Sequence, residues 1–211
     1  MDRKLRGSQY TESAVRGGLE LCLVPLLHTA ALASRSLLRV MARNNQKLVI
    51  DRTPRIGEDG ETISMFQYAL RNPDDNGRKA PLPKILYGLG IDETAQLHNI
   101  INGTMRIFGR RPHSPSDFAD FMGQLTPDQR ERYKAEVLPC KPGILSSYAV
   151  KQHQMHPYGR PTAEERFDLD MADTNEASLE RDINIICGTI GMAAVKLWNA
   201  ATFKQSRQTV K

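Results

Sequence analysis

Hydrophobic and polar positions follow three patterns along the chain. The first is an uninterrupted run. Leu21 to Ser34, LCLVPLLHTAALAS, is a stretch of fourteen residues without a charge. Arg3, Lys4, Arg6 and Arg16 precede it, and Arg35, Arg39 and Arg43 follow. A spanning helix needs about 20 apolar residues, and runs of about 10–14 are more often re-entrant, interfacial or buried in a core. Pro25 lies inside the run, where it removes a helix hydrogen bond and predicts a kink. Glu20 abuts the run and no small-x-small cleavage site follows, so a signal peptide is not the reading. From Ser34 to Arg43, Leu, Val and Met alternate with Arg, which suits an amphipathic helix on a headgroup surface. A core helix with Arg on its solvent face has the same pattern.

The second pattern has period two. KLVIDRTPRIGEDGETISMFQYAL predicts a hairpin that turns at Glu58-Asp59-Gly60. RNPDDNGRKAPLPK is a loop of turn formers. The third pattern is helical. Residues 92–102 predict a helix stopped at Gly103, and TMRIF a short extended piece. SPSDFADFMGQL predicts a helix capped by Ser114 with Pro115 first. TPDQRERYKAEVL repeats the device with Thr126, Pro127 and Gln129. PCKPGILSSYAV reads as a loop leading into a short strand, 151–163 as irregular and 164–174 as a short helix. Residues 177–200 predict a long helix with Leu179, Ile183, Ile186, Ile190 and Ala194 on one stripe, facing a core or a membrane.

No internal repeat is present. The class is a helix-rich α+β fold: a kinked N-terminal re-entrant or interfacial helix, then a small domain with a short β-hairpin and amphipathic surface helices. The expected divisions are a polar tail over 1–16, the membrane-type helix over 17–45, the domain over 46–200 and a polar tail over 201–211.

Composition narrows the chemistry. The chain has 211 residues, 40% of them hydrophobic and 6% aromatic, with net charge +5 and a pI near 9.2. Phosphates or an anionic membrane suit that charge. Nucleic acid does not suit the rest, because a single-strand binder interleaves aromatics with its basic stripe and this chain has one Trp. Cys22, Cys140 and Cys187 are far apart and in no metal or disulfide spacing, which fits a reducing compartment. His153 and His156 lack partners at ligand spacing and read as solvent-facing.

The segment IDETAQLHNIINGTMRIFGRRP, residues 91–112, carries the candidate chemistry. It opens on two carboxylates, Asp92 and Glu93, and closes on Arg110, Arg111 and Pro112. Acids at a helix start also stabilise the macrodipole by about 0.3–1 kcal/mol, so the dyad alone has a plain structural reading. Mg²⁺ takes oxygen ligands and binds through one or two carboxylates plus substrate phosphates. Arg side chains hold phosphate by forked hydrogen bonds.

This segment resembles the bacterial sugar transferases, the polyprenol-phosphate phosphoglycosyl transferases with one membrane-associated domain. Asp92, Glu93, Gln96, Asn99, Gly103, Met105, Gly109, Arg111 and Pro112 stand in register with the family's D-E-x-P-Q-x-x-N-x-x-x-G-[DE]-M-S-x-x-G-P-R-P. Flanking matches retain Arg55, Gly57, Gly60 and Phe66; Pro142, Gly143 and Val150; and Arg166, Asp170, Ser178 and Asp182. The Pro25 helix is similar to the family's re-entrant membrane helix. The resemblance runs from about Gly17 to Val195. Departures are Ala95, Thr104 and Arg110 inside the segment, and Met65, Gln67, Tyr87, Ser146–Ala149 and Asp173 outside it.

What the resemblance implies is transfer of a phospho-sugar from a nucleoside diphosphate sugar to a polyprenol phosphate, starting a cell-surface glycan. Asp92 is then the nucleophile, forming a covalent phospho-sugar intermediate. Glu93 is its partner, and both carboxylates are Mg²⁺ ligands. Arg111, Arg110 and Arg55 are the expected phosphate ligands, with Gln96, Asn99, Pro112 and Asp170 in support. The implied location is the cytoplasmic face of the bacterial inner membrane, in monotopic form. The expected partners are the two substrates and the membrane, with a homo-oligomer left open. The alternative is a relative that binds a nucleotide sugar or a partner transferase without turnover.

Overall fold

The computed structural model describes residues 14–42, 46–71, 79–80, 90–155 and 159–206. The loop after Arg71, the residues Lys84 and Tyr87, His156, most of the N-terminal tail and the last five residues lie outside these.

The period-two stretch forms the expected hairpin. Strands β1 (Lys47–Ile56) and β2 (Thr62–Arg71) pair antiparallel with Lys47 opposite Arg71 and Ile56 opposite Thr62. Asp59 at φ 54° and Gly60 at φ 79° make the turn, as an Asp-Gly step readily does. A two-residue strand β3 (Lys79–Ala80) adds to the far end of β2. A second sheet joins β4 (Arg106–Phe108) and β5 (Gly143–Leu145) in parallel. A Cβ on Gly143 would overlap Gly109 N and Phe108 C, so the two segments meet where only glycine fits.

The helices are α1 (Ala14–Met41), α2 (Leu97–Ile101), α3 (Pro115–Gln124), α4 (Pro127–Glu136), α5 (Ser147–Met155), α6 (Ala163–Asn175) and α7 (Leu179–Ser206). Ser114 and Thr126 cap α3 and α4 as their sequences predict, with Gln129 completing the box. Three clusters form the core. Phe121, Leu125, Tyr133, Val137, Phe167 and Met171 join α3, α4 and α6. Leu38, Tyr68 and Ala95 join α1, β2 and the turn that carries the dyad. Ile107, Phe108 and Ile185 join β4 to α7, with Leu19, Leu23, Val24 and Leu27 of α1 packed on them.

Several expectations are corrected. Helix α1 begins before residue 17 and runs unbroken through Pro25. Arg16 therefore lies in a helix rather than a tail. It is buried with Asp182 of α7, Nε to Oδ2 at 3.1 Å and Nη2 to Oδ1 at 3.2 Å. Counting the uncharged run understated the element: α1 has 28 residues and is long and apolar enough to cross a membrane, about 42 Å at 1.5 Å per residue. Residues 151–155, expected to be irregular, are the second half of α5. Helix α7 continues to Ser206, past the expected boundary at 200. Its stripe is exposed at Leu179, Ile183 and Ile190, while the buried side carries Asp182 and Ile185.

Candidate active site

Gly90, at φ 66°, starts the turn that presents the dyad. Glu93 N donates to Gly90 O at 3.0 Å, and the Thr94 hydroxyl to Ile91 O at 2.7 Å. Asp92–Gln96 is a 3₁₀ turn leading straight into α2. Residues three apart eclipse in such a turn, so Asp92 and Ala95 share the side packed on α1 and β2. Asp92 is accordingly only 5% exposed. Glu93 points a third of a turn away, and its side chain is 35% exposed. One carboxylate is set inside the fold and its neighbour at the surface.

The surface carboxylate meets a cation of the same segment. Arg111 Nη2 lies 3.3 Å from Glu93 Oε1, with the Arg111 side chain 34% exposed. An ion pair this exposed is worth about 0–1 kcal/mol, so an incoming phosphate can exchange for it. Arg55 of β1 joins the group. Burial, and then the like charge of Arg111, lower its guanidinium pKa, while Asp117 and Glu93 pull it back up. Two guanidiniums whose charges are felt by each other favour an anion between them.

Arg110 takes a different place. It is 1% exposed, and it donates to Ile56 O at 3.3 Å and Gly57 O at 2.6 Å, fastening the hairpin turn. Gln67 and Tyr87 stand where the resembled family has basic residues, and Arg110, Lys84 and Arg71 are the candidates to replace them. Arg71 is paired with Asp51 at 2.7 Å. Asn99 is equally structural. Its Oδ1 accepts from Phe66 N at 3.1 Å and its Nδ2 donates to Ser64 O at 2.7 Å, covering the open edge of β2. Gln96 is buried as well. Pro112 forces an extended backbone on Arg111.

Asp170 is fully buried away from the dyad. Tyr133 donates to its Oδ2 at 2.9 Å, and Arg166 Nε lies 3.6 Å from that oxygen. His113 Nε2 is 3.7 Å away. Burial pulls the His113 pKa below 6.5, and Asp170, beyond hydrogen-bond reach, restores it only in part. Burial, and then the Asp170 charge, push the Tyr133 pKa well above 10. Asp170 reaches the segment through Arg166, which donates to Arg111 O at 3.0 Å.

Sequence reasoning gave no role to Arg166 or Asp173. Asp173 accepts from Ser147 N at 2.8 Å and Arg181 Nε at 3.1 Å, and so caps α5. The signal for Arg166 was its spacing of four from Asp170 on one helix face.

Among the described residues no group of three or more His, Cys, Asp or Glu could hold a metal. A Mg²⁺ that keeps several waters and takes its remaining oxygens from substrate phosphates needs only one or two protein carboxylates. Asp92 and Glu93 are the residues that would hold it.

The sequence profile for "Bacterial sugar transferase" matches residues 14–196. An undecaprenyl-phosphate glucose phosphotransferase of Komagataeibacter xylinus is 28% identical over 184 residues, which is 82% of this chain and 33% of the relative. A UDP-glucose:undecaprenyl-phosphate glucose-1-phosphate transferase of Caulobacter vibrioides is 30% identical over 142 residues, 66% of this chain and 48% of the relative. The chain thus spans a third to a half of the length of these curated relatives.

Proposed function

The chain belongs to the bacterial sugar transferase family, and from that premise we propose that it transfers a phospho-sugar from a nucleoside diphosphate sugar to a polyprenol phosphate. The observation that carries the reading is the pairing of Glu93, neighbour of the buried Asp92, with Arg111 of the same matched segment. Arg55 of β1 feels the charges of both Arg111 and Glu93. Both relatives are named for undecaprenyl phosphate and glucose, and the Caulobacter one for UDP-glucose, which supports a polyprenol phosphate acceptor here.

In the proposed reaction an Asp92 carboxylate oxygen attacks the phosphorus that bears the sugar. The bond from that phosphorus to the bridging oxygen breaks, and the nucleoside monophosphate leaves. A phosphate oxygen of the polyprenol phosphate then attacks the same phosphorus. Polyprenol diphosphate sugar departs and the carboxylate is restored. Asp92 is a weak nucleophile, so it depends on position and on neutralised substrate charge. Its burial in the turn whose Ala95 packs on Leu38 and Tyr68 supplies the position. Arg111 and Arg55 supply the neutralisation, with Glu93 giving up Arg111 as phosphate binds. Mg²⁺, when bound, adds charge neutralisation at the phosphates.

The same account places α1 in the membrane from the cytoplasmic face, in monotopic form, with the exposed apolar side of α7 on the lipid surface. Ile190 is 63% and Trp198 71% exposed there, and Trp favours the interface. The second reading, a relative that binds without turnover, is favoured by one observation: Arg110 and Arg71 are both committed elsewhere. The test is nucleoside monophosphate release by the full chain in lipid, with Mg²⁺, polyprenol phosphate and a panel of nucleotide sugars. Release that requires the lipid supports transfer. Nucleotide-sugar binding without release supports the second reading.

A further inference from the structure

We propose that Arg166 is a positioning residue for Arg111: it fixes the peptide from which the phosphate-binding guanidinium projects. The inference rests on Arg111 as a phosphate ligand of the proposed transfer.

The Gly109–Pro112 segment is clamped at successive peptides. Arg110 O accepts from Gly143 N at 2.9 Å. The Arg110 side chain is fastened to Ile56 O and Gly57 O. Pro112 keeps Arg111 extended, and in an extended segment consecutive side chains point to opposite sides. With Arg110 turned inward, Arg111 turns outward, toward Glu93. The clamp on the Arg111 peptide itself is Arg166, whose Nη2 donates to its carbonyl at 3.0 Å.

Arg166 is in turn held by two rings and a carboxylate. Its guanidinium carbon lies 4.1 Å from the Tyr148 ring centroid and 5.7 Å from that of Phe121. Its Nε sits 3.6 Å from Asp170 Oδ2, an oxygen that Tyr133 already fixes at 2.9 Å. A planar fork can stack on a ring, face a carboxylate and donate to a carbonyl at once. A lysine ammonium cannot. The leverage is real, because misplacing a binding group by about 1 Å can cost about a hundredfold in rate.

The test is a double-mutant cycle on the full chain in lipid: R166M and R166K, each alone and with R111A. Three quantities are read: kcat/KM for nucleoside monophosphate release, affinity for inorganic pyrophosphate with Mg²⁺, and Tm. Each Arg166 variant is expected to lower kcat/KM and pyrophosphate affinity about tenfold or more, the scale of a lost charge-assisted hydrogen bond. With R111A present, the further loss shrinks to within about twofold. An equal loss in both backgrounds overturns the proposal, because Arg166 then acts on the fold at large or on the ligand directly. R166K keeps the charge and most of the stem, so it carries the cycle if R166M does not fold. A wild type that binds pyrophosphate but releases no nucleotide overturns the transfer reading alone, and the cycle is then read from affinity. A wild type that does neither overturns both.

Discussion

Two adjacent arginines show how much a residue's role depends on contacts far away in sequence. Arg110 and Arg111 carry the same group one position apart, yet one fastens a hairpin turn and the other faces Glu93. The carbonyls that capture Arg110 belong to Ile56 and Gly57, more than fifty residues upstream, and no local pattern announces them. The dyad was more legible, because its spacing to Gly109 and Pro112 lies within one segment. Its division into a buried Asp92 and an exposed Glu93 was not, since it follows from a 3₁₀ turn where a regular helix was expected. His113 gives the residue-scale prediction. Its native pKa is depressed by burial among Phe118, Phe121, Tyr133, Asp170, Arg110 and Arg166. Above about pH 6.5 both native and unfolded forms are neutral and His113 contributes no slope. As pH falls below 6.5, the unfolded chain binds the proton first and stability declines toward the native pKa. His113→Phe should therefore flatten the fall of Tm between about pH 6.5 and 5. A Tm profile parallel to that of wild type would refute this.

At the scale of elements, the sequence was most legible where the start signal is local. Helices α3 and α4 carry their own cap, proline and box. Helix α5 has a local cap in Ser146, whose Oγ accepts from Ala149 N at 3.1 Å. Its start is also held by Asp173 of α6, which accepts from Ser147 N at 2.8 Å and which no local pattern announces. Helix α1 was underestimated for a similar reason: Arg16 reads as tail until Asp182 of α7 neutralises it in the interior. Removing one partner of a buried pair like this typically costs about 3–5 kcal/mol. The crossing of β4 and β5 gives the element-scale prediction. Gly143→Ala pushes a Cβ into the Gly109 and Phe108 backbone, which cannot yield as a side chain would. A loss of about 1–3 kcal/mol in unfolding free energy is expected. Gly123→Ala, in α3 with open space around it, should gain about 0.5–1 kcal/mol. Denaturant titration of the pair measures both, and equal effects would discount the close crossing.

For the molecule as a whole, the exposed stripe of α7 is the feature that pattern reading found and burial then explained. Its period was correct, but the side turned to the core is the one bearing Asp182 and Ile185. The apolar face left outside sits on the same body as α1, joined through the Ile107–Phe108–Ile185 cluster. If both helices meet lipid, Ile183→Asp with Ile190→Asp should reduce flotation of the full chain with phosphatidylglycerol-containing vesicles several-fold. Tm should hardly change, because both side chains are already exposed. Unchanged flotation would remove α7 from the lipid surface.

The most direct test of the central claim is the intact mass of the chain. The sample is incubated with Mg²⁺ and a nucleoside diphosphate sugar, without polyprenol phosphate. The account predicts an added sugar phosphate that maps to Asp92, disappears when polyprenol phosphate is supplied and never forms in Asp92→Asn. An adduct that persists in Asp92→Asn, or lipid-dependent nucleotide release with no adduct at Asp92, would contradict it.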